Sequence, residues 1–375
     1  MRHIKYFAPI LDCSGYASAA RGYLRACEAV GIPVRAIDRS RSLNLMNKGL
    51  DDEILALYER LSKTQVSPDY TAVQHNLPDL FVRDRCSKHR IGYTIFEMTG
   101  IPQLWVSPCN EMDEIWTGSD YSKNAFVSSG VKVPVHVLPH AIDIERFRSA
   151  VPWRIENKRA FTFLSVFDFT PRKAWQDLLR AYWTAFEQQD DVCLILKVFF
   201  SDFSEESRAD IIRRILRYRE SLKFHDRAPI LIYGHDVRAS DMPGLFKAAD
   251  CYVGVSREGF GLPYAEAMAA GIATIGPEVG GTREFMNPEN SLLVRYVGDE
   301  RISDEMMRLN PMFDGLSWAK HDWEHLAEQM RLVVSDSGLR RRIADNGARD
   351  IAAHNSFDAV GRRIISLLNQ VDIVS

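Results

Sequence analysis

Short apolar runs alternate with longer segments of helical periodicity along the whole chain, and this alternation starts twice. The first series opens with an apolar run from Ile4 to Ile10 and a helical pattern from Tyr16 to Val30. The second series opens with the apolar run from Phe161 to Phe167. Parallel strands are buried on both faces, so they are apolar runs, and the crossover connections between them are usually helices. The alternation of apolar runs with helical segments is therefore typical of parallel sheets. The sequence therefore predicts an α/β fold with two doubly wound parallel sheets.

Polar residues 150–159, which include Pro152, lie between the two series and indicate a linker. From Ser317 to the end the pattern is helical. Open parallel sheets bind ligands at the carboxyl ends of their strands, so two facing sheets bring their loops to one cleft. The remaining predicted strands are 34–37, 71–74, 91–96, 114–117, 135–138, 193–198, 230–233, 251–255, 273–275 and 292–294. The predicted helices after Ser317 are 322–335, 338–353 and 357–370.

Composition narrows the class of protein. A length of 375 residues suits two such domains. With 47 Lys and Arg against 50 Asp and Glu, the chain has no global attraction for nucleic acid or an anionic membrane. The six cysteines show no CxxC pair or zinc-like spacing, and no apolar run has the length of a signal-peptide core or a membrane span. We therefore expect a cytoplasmic protein with reduced cysteines and no nucleic-acid partner.

The most informative stretch is SREGFGLPYAEAMAAG at 256–271, which follows a predicted strand. Gly259 and Gly261 let backbone N–H groups approach a ligand, and the proline that follows suits the first turn of a helix. The positive end of that helix attracts a phosphate or diphosphate. Glu258 in the loop and Glu266 about one turn into the helix suit sugar hydroxyls. The alternative is a turn whose glycines serve packing and whose glutamates are solvated.

Two glutamates that flank seven residues, with glycines between them and an EAMAxG continuation, resemble the donor motif of family-4 retaining glycosyltransferases of the GT-B fold (glycosyl transferases group 1). The resemblance implies that Glu258 contacts hydroxyls of the transferred sugar and that Glu266 binds the ribose of the nucleotide. It also implies that Val237 lies near the base. The residues whose amides are expected at the diphosphate are Gly259, Phe260, Gly261 and Leu262.

A basic pair, Arg172 and Lys173, follows the predicted strand at 161–167 and supplies positive charge for a diphosphate leaving group. In the family that the chain resembles, the arginine precedes the lysine by several residues. Here residues 168–171 read DFTP and contain no arginine. Arg172 therefore acts from the position directly before Lys173, or it takes no part in binding the diphosphate. Lys173 is the expected anchor. The alternative is a solvated pair on a loop.

Three residues of the first series are further candidates. Gly15, in the turn from the first strand to the first helix, is expected to face the diphosphate and acceptor, or else belongs to a simple tight turn. His75 ends a strand, and the resemblance implies a contact with the transferred sugar; a capped structural histidine is the alternative. Glu97 also follows a strand and could orient donor or acceptor.

The densest basic cluster of the first series spans residues 83–90. It is either a solvated face or a docking site for a lipid phosphate, which would bring the first domain to a membrane surface. Its members are Arg83, Arg85, Lys88, His89 and Arg90.

The resemblance implies a GT-B arrangement of two Rossmann-like domains that face each other across a cleft. Residues 1–149 would form the acceptor domain and 150–354 the nucleotide-sugar domain. Residues 355–375 would form a helix that crosses back onto the first domain.

The activity implied is transfer of a hexose, with retention, from GDP-mannose or a UDP-sugar to a hydroxyl of a glycan or lipid-linked acceptor. No metal or further cofactor is expected, because cationic side chains and a helix N-terminus take that role. The alternatives are a nucleotide-sugar epimerase, a sugar phosphorylase or a non-catalytic nucleotide-sugar-binding relative. An oxidoreductase is disfavoured because residues 15–22 lack the GxGxxG spacing.

Overall fold

Both series of apolar runs form six-stranded parallel sheets in the computed structural model, which describes residues 3–40, 48–200 and 202–374. The strand order of the first sheet is β2-β1-β3-β4-β5-β6, and that of the second is β12-β11-β10-β7-β8-β9. The prediction of two doubly wound sheets is therefore confirmed. Residues 150–160, which precede the second sheet, contain no helix or strand.

The first domain contains β1 (His3–Ala8), α1 (Gly15–Ala29), β2 (Val34–Asp38), α2 (Asp52–Ser62), β3 (Tyr70–His75), β4 (His89–Tyr93), α3 (Gln103–Asn110), β5 (Glu114–Thr117), α4 (Asp120–Ser128) and β6 (Val135–Val137). Helix α5 (Ile144–Ser149) comes next along the chain and packs on the second domain. Side chains from the chain itself cap several of these helices. The Ser14 side chain, for example, accepts a hydrogen bond from the Ala17 N–H at the start of α1.

The second domain contains β7 (Phe161–Asp168), α6 (Trp175–Ala185), β8 (Val192–Phe199), α7 (Glu205–Ser221), β9 (Ile230–Tyr233), α8 (Met242–Lys247), β10 (Cys251–Val253), α9 (Leu262–Ala269), β11 (Ala273–Pro277) and β12 (Leu292–Val294). After β12 come β13 (Tyr296–Arg301), α10 (Asp304–Leu309), β14 (Ser317–His321), α11 (Trp323–Ser335), α12 (Ser337–Asn355) and α13 (Phe357–Val374).

The prediction of helix from Ser317 onward is wrong at its beginning. Residues Ser317–His321 form β14, which pairs antiparallel with β13. Residues 296–321, here called the hairpin insertion, therefore stand apart from both parallel sheets. Charged and polar side chains interrupt both strands of this ribbon, so it has none of the continuous apolar character of the buried strands.

The hairpin insertion packs on the first domain, although it belongs to the second. Phe313 lies against Phe96, with ring centroids 5.5 Å apart, and both are buried in one apolar cluster. The Thr99 N–H donates a hydrogen bond to the Ser317 carbonyl at 3.0 Å. The two domains therefore share an apolar contact beside the cleft.

Helix α13 crosses back and packs against α1, as the sequence predicts. The crossing is close at Gly361, where a Cβ atom would lie 2.5 Å from the Ala26 carbonyl oxygen. The chain passes between the domains near Ile142 and again near Asn355, and these two connecting segments are hydrogen-bonded to each other. The Ile142 N–H donates to the Asn355 carbonyl at 2.7 Å, and the Asn355 side chain donates to the His140 carbonyl at 2.9 Å.

Within the described residues, no helix has both the length and the apolar character needed to cross a lipid bilayer.

Candidate active site

Five charged side chains from both domains meet at the carboxyl ends of the two sheets. Lys173 Nζ lies 2.7 Å from Glu258 Oε1, and Arg172 Nη1 lies 3.2 Å from Glu258 Oε2. Asp168, at the end of β7, is 3.4 Å from Lys173 Nζ and 3.6 Å from Arg172 Nη2. Glu97 of the first domain completes the group, 2.9 Å from Arg172 Nε. We call these five residues the charged cluster; it brings together Glu258, Lys173 and Arg172.

Backbone contacts hold the basic turn at 171–173 against residues 254–261, the segment between β10 and α9 that is here called the donor loop. Residues Pro171–Lys173 form a short 3-10 turn after β7. The Arg257 N–H donates to the Arg172 carbonyl at 3.1 Å, and Arg172 Nη1 donates to the Arg257 carbonyl at 2.7 Å. Because these bonds join the residues that precede Glu258 and Lys173, the turn and the loop are positioned as a unit.

Electrostatics within the charged cluster keep Glu258 ionised. Burial would raise the pKa of this carboxyl, but the charges of Lys173 and Arg172 outweigh burial and lower it. The same balance lowers the pKa of Asp168 to about 2. For Glu97 burial prevails, reinforced by Glu258 and opposed by Arg172, and its pKa is raised. Glu258 is therefore an anionic acceptor suited to sugar hydroxyls.

Close packing requires glycine at two positions of the donor loop and at Gly281, which packs on that loop. A Cβ atom on Gly259 would lie 3.0 Å from the Phe96 carbonyl oxygen of the first domain. On Gly281 it would lie 2.1 Å from the Gly259 carbonyl group. Gly261 has φ +99° and begins α9, and a Cβ there would meet Thr282 at 2.7 Å. Packing accounts for these glycines, and the predicted amide contacts with a diphosphate stay a prediction.

Phe260 of the donor loop and Leu262, the first residue of α9, face inward. The Phe260 ring is buried between His140 and Phe285, at centroid distances of 4.5 and 4.9 Å. Leu262 is half-buried and packs against the apolar clusters of both domains. The Ser119 hydroxyl donates to the Gly259 carbonyl at 2.6 Å, across the domain boundary. Backbone N–H groups are thus what these residues could offer a ligand.

Glu266 lies on α9, opposite the first domain. Burial raises the pKa of this carboxyl to about 7, although the positive charge of Arg21 opposes the rise. Arg21 donates hydrogen bonds to the Ile10 and Asp12 carbonyls, at the turn that leads to α1. Gly15 begins α1 on this turn, and among the described residues no atom beyond its own helix and chain neighbours lies within 4 Å of the place of a Cβ. The turn and Glu266 therefore border the same part of the cleft.

Val237 is half-buried on the loop that follows β9. Its neighbour Ala239 donates a backbone hydrogen bond to the Gly49 carbonyl of the first domain at 2.8 Å. This loop therefore borders the cleft, and the predicted base contact of Val237 stays a prediction.

His75 lies inside the first domain, where it is 1% exposed. Its Nδ1 atom is hydrogen-bonded to the Tyr6 hydroxyl at 2.8 Å, and the rings of Tyr93 and Tyr16 lie 4.4 and 5.3 Å away. Burial lowers the pKa of His75 far below its ordinary value, so the ring is neutral. The structure places it beneath Tyr16, and the predicted sugar contact stays a prediction.

Sequence reasoning gave no role to two buried cations near the site. Arg257 donates to Glu300 at 2.6 Å and to the Ala319 carbonyl at 2.9 Å, which ties the donor loop to the hairpin insertion. Lys197 on β8 donates to the His235 carbonyl at 2.8 Å, and burial lowers its pKa to about 8. The sequence signal that could have pointed to Lys197 is that it is a single charged residue in an otherwise apolar strand.

Most of the basic cluster at 83–90 is engaged in surface contacts. Arg90 pairs with Asp113 at 2.6 Å and Lys88 with Asp69 at 2.9 Å, while His89 lies 3.4 Å from Glu114. Such pairs leave less charge for a lipid phosphate. Contact with a membrane stays a prediction.

Residues 159–311 match the profile of the family described as glycosyl transferases group 1. A GDP-mannose-dependent monoacylated alpha-(1-6)-phosphatidylinositol monomannoside mannosyltransferase of Corynebacterium glutamicum is 24% identical over 241 residues. That alignment covers 59% of this chain and 58% of the mannosyltransferase.

Solved structures of similar fold cover the whole chain. HepE of Anabaena, solved with UDP and glucose, superimposes with a TM-score of 0.68 at 15% identity, covering 99% of this chain and 100% of HepE. Sucrose-phosphate synthase of Thermosynechococcus elongatus gives a TM-score of 0.67 at 16% identity, covering 100% of both chains. At these identities the likeness establishes the fold. The chain therefore has the GT-B fold, and its residues 159–311 match the family of group 1 glycosyl transferases.

Proposed function

We propose that this protein is a glycosyltransferase that moves a hexose from a nucleotide diphosphate sugar to a hydroxyl of a glycan or lipid-linked acceptor, with retention at the anomeric carbon. The observation that supports this most is the contact of Lys173 and Arg172 with Glu258. Two cations for a leaving diphosphate thus lie beside an anionic acceptor for sugar hydroxyls. This is the pairing of charges that a sugar attached to a diphosphate requires.

In the proposed reaction the bond from the anomeric carbon to the phosphate oxygen breaks, and a bond to the acceptor oxygen forms on the same face. The acceptor proton passes to the departing phosphate oxygen. Lys173 and Arg172 stabilise the charge that develops on the diphosphate, so the proposal needs no metal. Glu258 holds the sugar and Glu266 the ribose, and both act by positioning.

The names of similar proteins support the classes of donor and acceptor. The Corynebacterium mannosyltransferase depends on GDP-mannose and acts on a phosphatidylinositol monomannoside, and HepE was solved with UDP and glucose. GDP-mannose and UDP-sugars are therefore the donors to test, with a lipid-linked saccharide as acceptor. The proposal keeps the cytoplasmic location that the sequence predicts.

The test is a thermal-shift and sugar-release screen with GDP-mannose, UDP-glucose, UDP-N-acetylglucosamine and UDP-galactose. One donor should stabilise the wild type, and Lys173→Met should abolish that shift and lower turnover by about 100-fold or more, because one cation of the leaving-group site is lost. Lys63→Met is the matched control, since Lys63 is exposed and paired with Glu59. A shift that Lys173→Met leaves unchanged would contradict the assignment. Binding without turnover would favour the non-catalytic alternative.

A further inference from the structure

The pair of Glu97 and Arg172 joins the two domains. Glu97 follows β4 of the first domain, and Arg172 lies on the turn after β7 of the second. Their atoms Oε1 and Nε are 2.9 Å apart, and each side chain is 17% exposed. The pair therefore crosses the cleft at the place where the donor diphosphate is proposed to bind.

Each of the three guanidinium nitrogens of Arg172 already faces an acceptor. Nε faces Glu97, Nη1 faces Glu258 and the Arg257 carbonyl, and Nη2 faces Asp168. An arginine binds phosphate best through two parallel N–H donors in one plane. A diphosphate can gain such a contact only if one of the present acceptors gives way.

Glu97 is the acceptor best placed to give way. Asp168 and Glu258 belong to the same domain as Arg172, and the donor loop is bonded to the basic turn through Arg257. Glu97 alone of these three carboxylates moves away from Arg172 when the domains separate. It also brings a negative charge close to the proposed position of the diphosphate, and like charges repel at such range.

We propose that Glu97 competes with the donor diphosphate for Arg172. In the empty enzyme the pair closes the cleft, and donor binding must break it. After transfer, the ion pair of Glu97 and Arg172 forms again, and its formation favours release of the nucleoside diphosphate. Nucleotide binding and this interdomain pair are thus coupled, and each weakens the other. The inference rests on the proposed function, because it requires a diphosphate as the competitor.

The test is calorimetric titration of the full chain with UDP and with GDP. Glu97→Gln keeps the size of the side chain and removes its charge, so it should bind the preferred nucleotide about fivefold or more tightly. Glu97→Asp keeps the charge and should remain closer to the wild type. The gain of Glu97→Gln should shrink in high salt, which screens the competing charge.

The matched control is Glu284→Gln. The Glu284 side chain also bridges the domains, accepting the Asp120 N–H at 2.6 Å, but it does not contact Arg172. We expect its nucleotide affinity to equal that of the wild type. An equal gain in both variants would show that loosened domains, and not competition for Arg172, cause the effect, and would overturn the inference.

The outcomes separate this inference from the proposed function. If the wild type binds a nucleotide and Glu97→Gln binds it equally or more weakly, the competition is refuted while the donor site stands. If neither the wild type nor the variants bind UDP or GDP, the proposed function fails and the inference fails with it. A melting curve without nucleotide confirms that each variant is folded.

Discussion

The partly buried carboxyl of Glu266 makes stability depend on pH. Burial raises its folded-state pKa to about 7 from an ordinary value of 4.5, so the unfolded chain loses this proton first. The contribution of Glu266 to the free energy of unfolding therefore falls as pH rises from 4.5 to 7 and stays low above 7. Such a carboxyl suits a ligand site better than a core, because a bound hydroxyl would compensate for its burial.

We predict that Glu266→Gln is more stable than the wild type at pH 8, by on the order of 1–2 kcal/mol once solvent screening is allowed for. At pH 4 the two should agree, because the carboxyl is then protonated in both states. Urea denaturation at the two pH values measures the difference. If the stability difference between the two proteins is the same at pH 4 and pH 8, ionisation of Glu266 is not the cause of that difference.

Local patterns predicted part of the site. The loop-and-helix motif and its resemblance to a family pattern selected Glu258, Glu266 and Lys173, and the structure brings Glu258 and Lys173 together. The partnership of Glu97 with Arg172 was not predictable in this way, because it joins different domains and depends on how they meet. The burial of His75 beneath Tyr16 likewise results from tertiary packing.

At the level of elements, buried parallel strands were the most predictable. Each predicted strand has its counterpart, and those at 114–117, 230–233 and 292–294 have the predicted bounds. Strands buried on both faces are continuous apolar runs that the sequence shows directly. The hairpin insertion was missed because charged and polar residues interrupt both of its strands and because the insertion is stabilised by packing on the other domain.

The hairpin insertion offers a prediction at this scale. Phe313→Ala removes a buried ring that packs on Phe96, and it should destabilise the chain by about 3 kcal/mol. Met312→Ala alters the neighbouring, exposed side chain and is the control. Limited proteolysis should cut the insertion of Phe313→Ala faster than that of Met312→Ala or the wild type. Equal cutting rates would mean that the insertion is held by other contacts.

At the scale of the whole molecule, the domains are connected more firmly than by a linker alone. The hairpin insertion shares an apolar cluster with the first domain, and α13 completes the core of that domain. Domains in one chain move independently unless their interface is large and apolar. We therefore expect the two domains to unfold together, while the cleft itself opens and closes for the donor.

Asn355 tests this coupling, because its side chain joins the two connecting segments. Asn355→Ala leaves the His140 carbonyl buried without its donor, which costs about 1–3 kcal/mol. Calorimetry of the wild type should give a single transition, and Asn355→Ala should lower its temperature and broaden or split it. Asn346→Ala is the matched control, since Asn346 lies on the same helix and donates to Glu289 within one domain. Two transitions in the wild type, or the same broadening in both variants, would show that the connecting segments do not couple the domains.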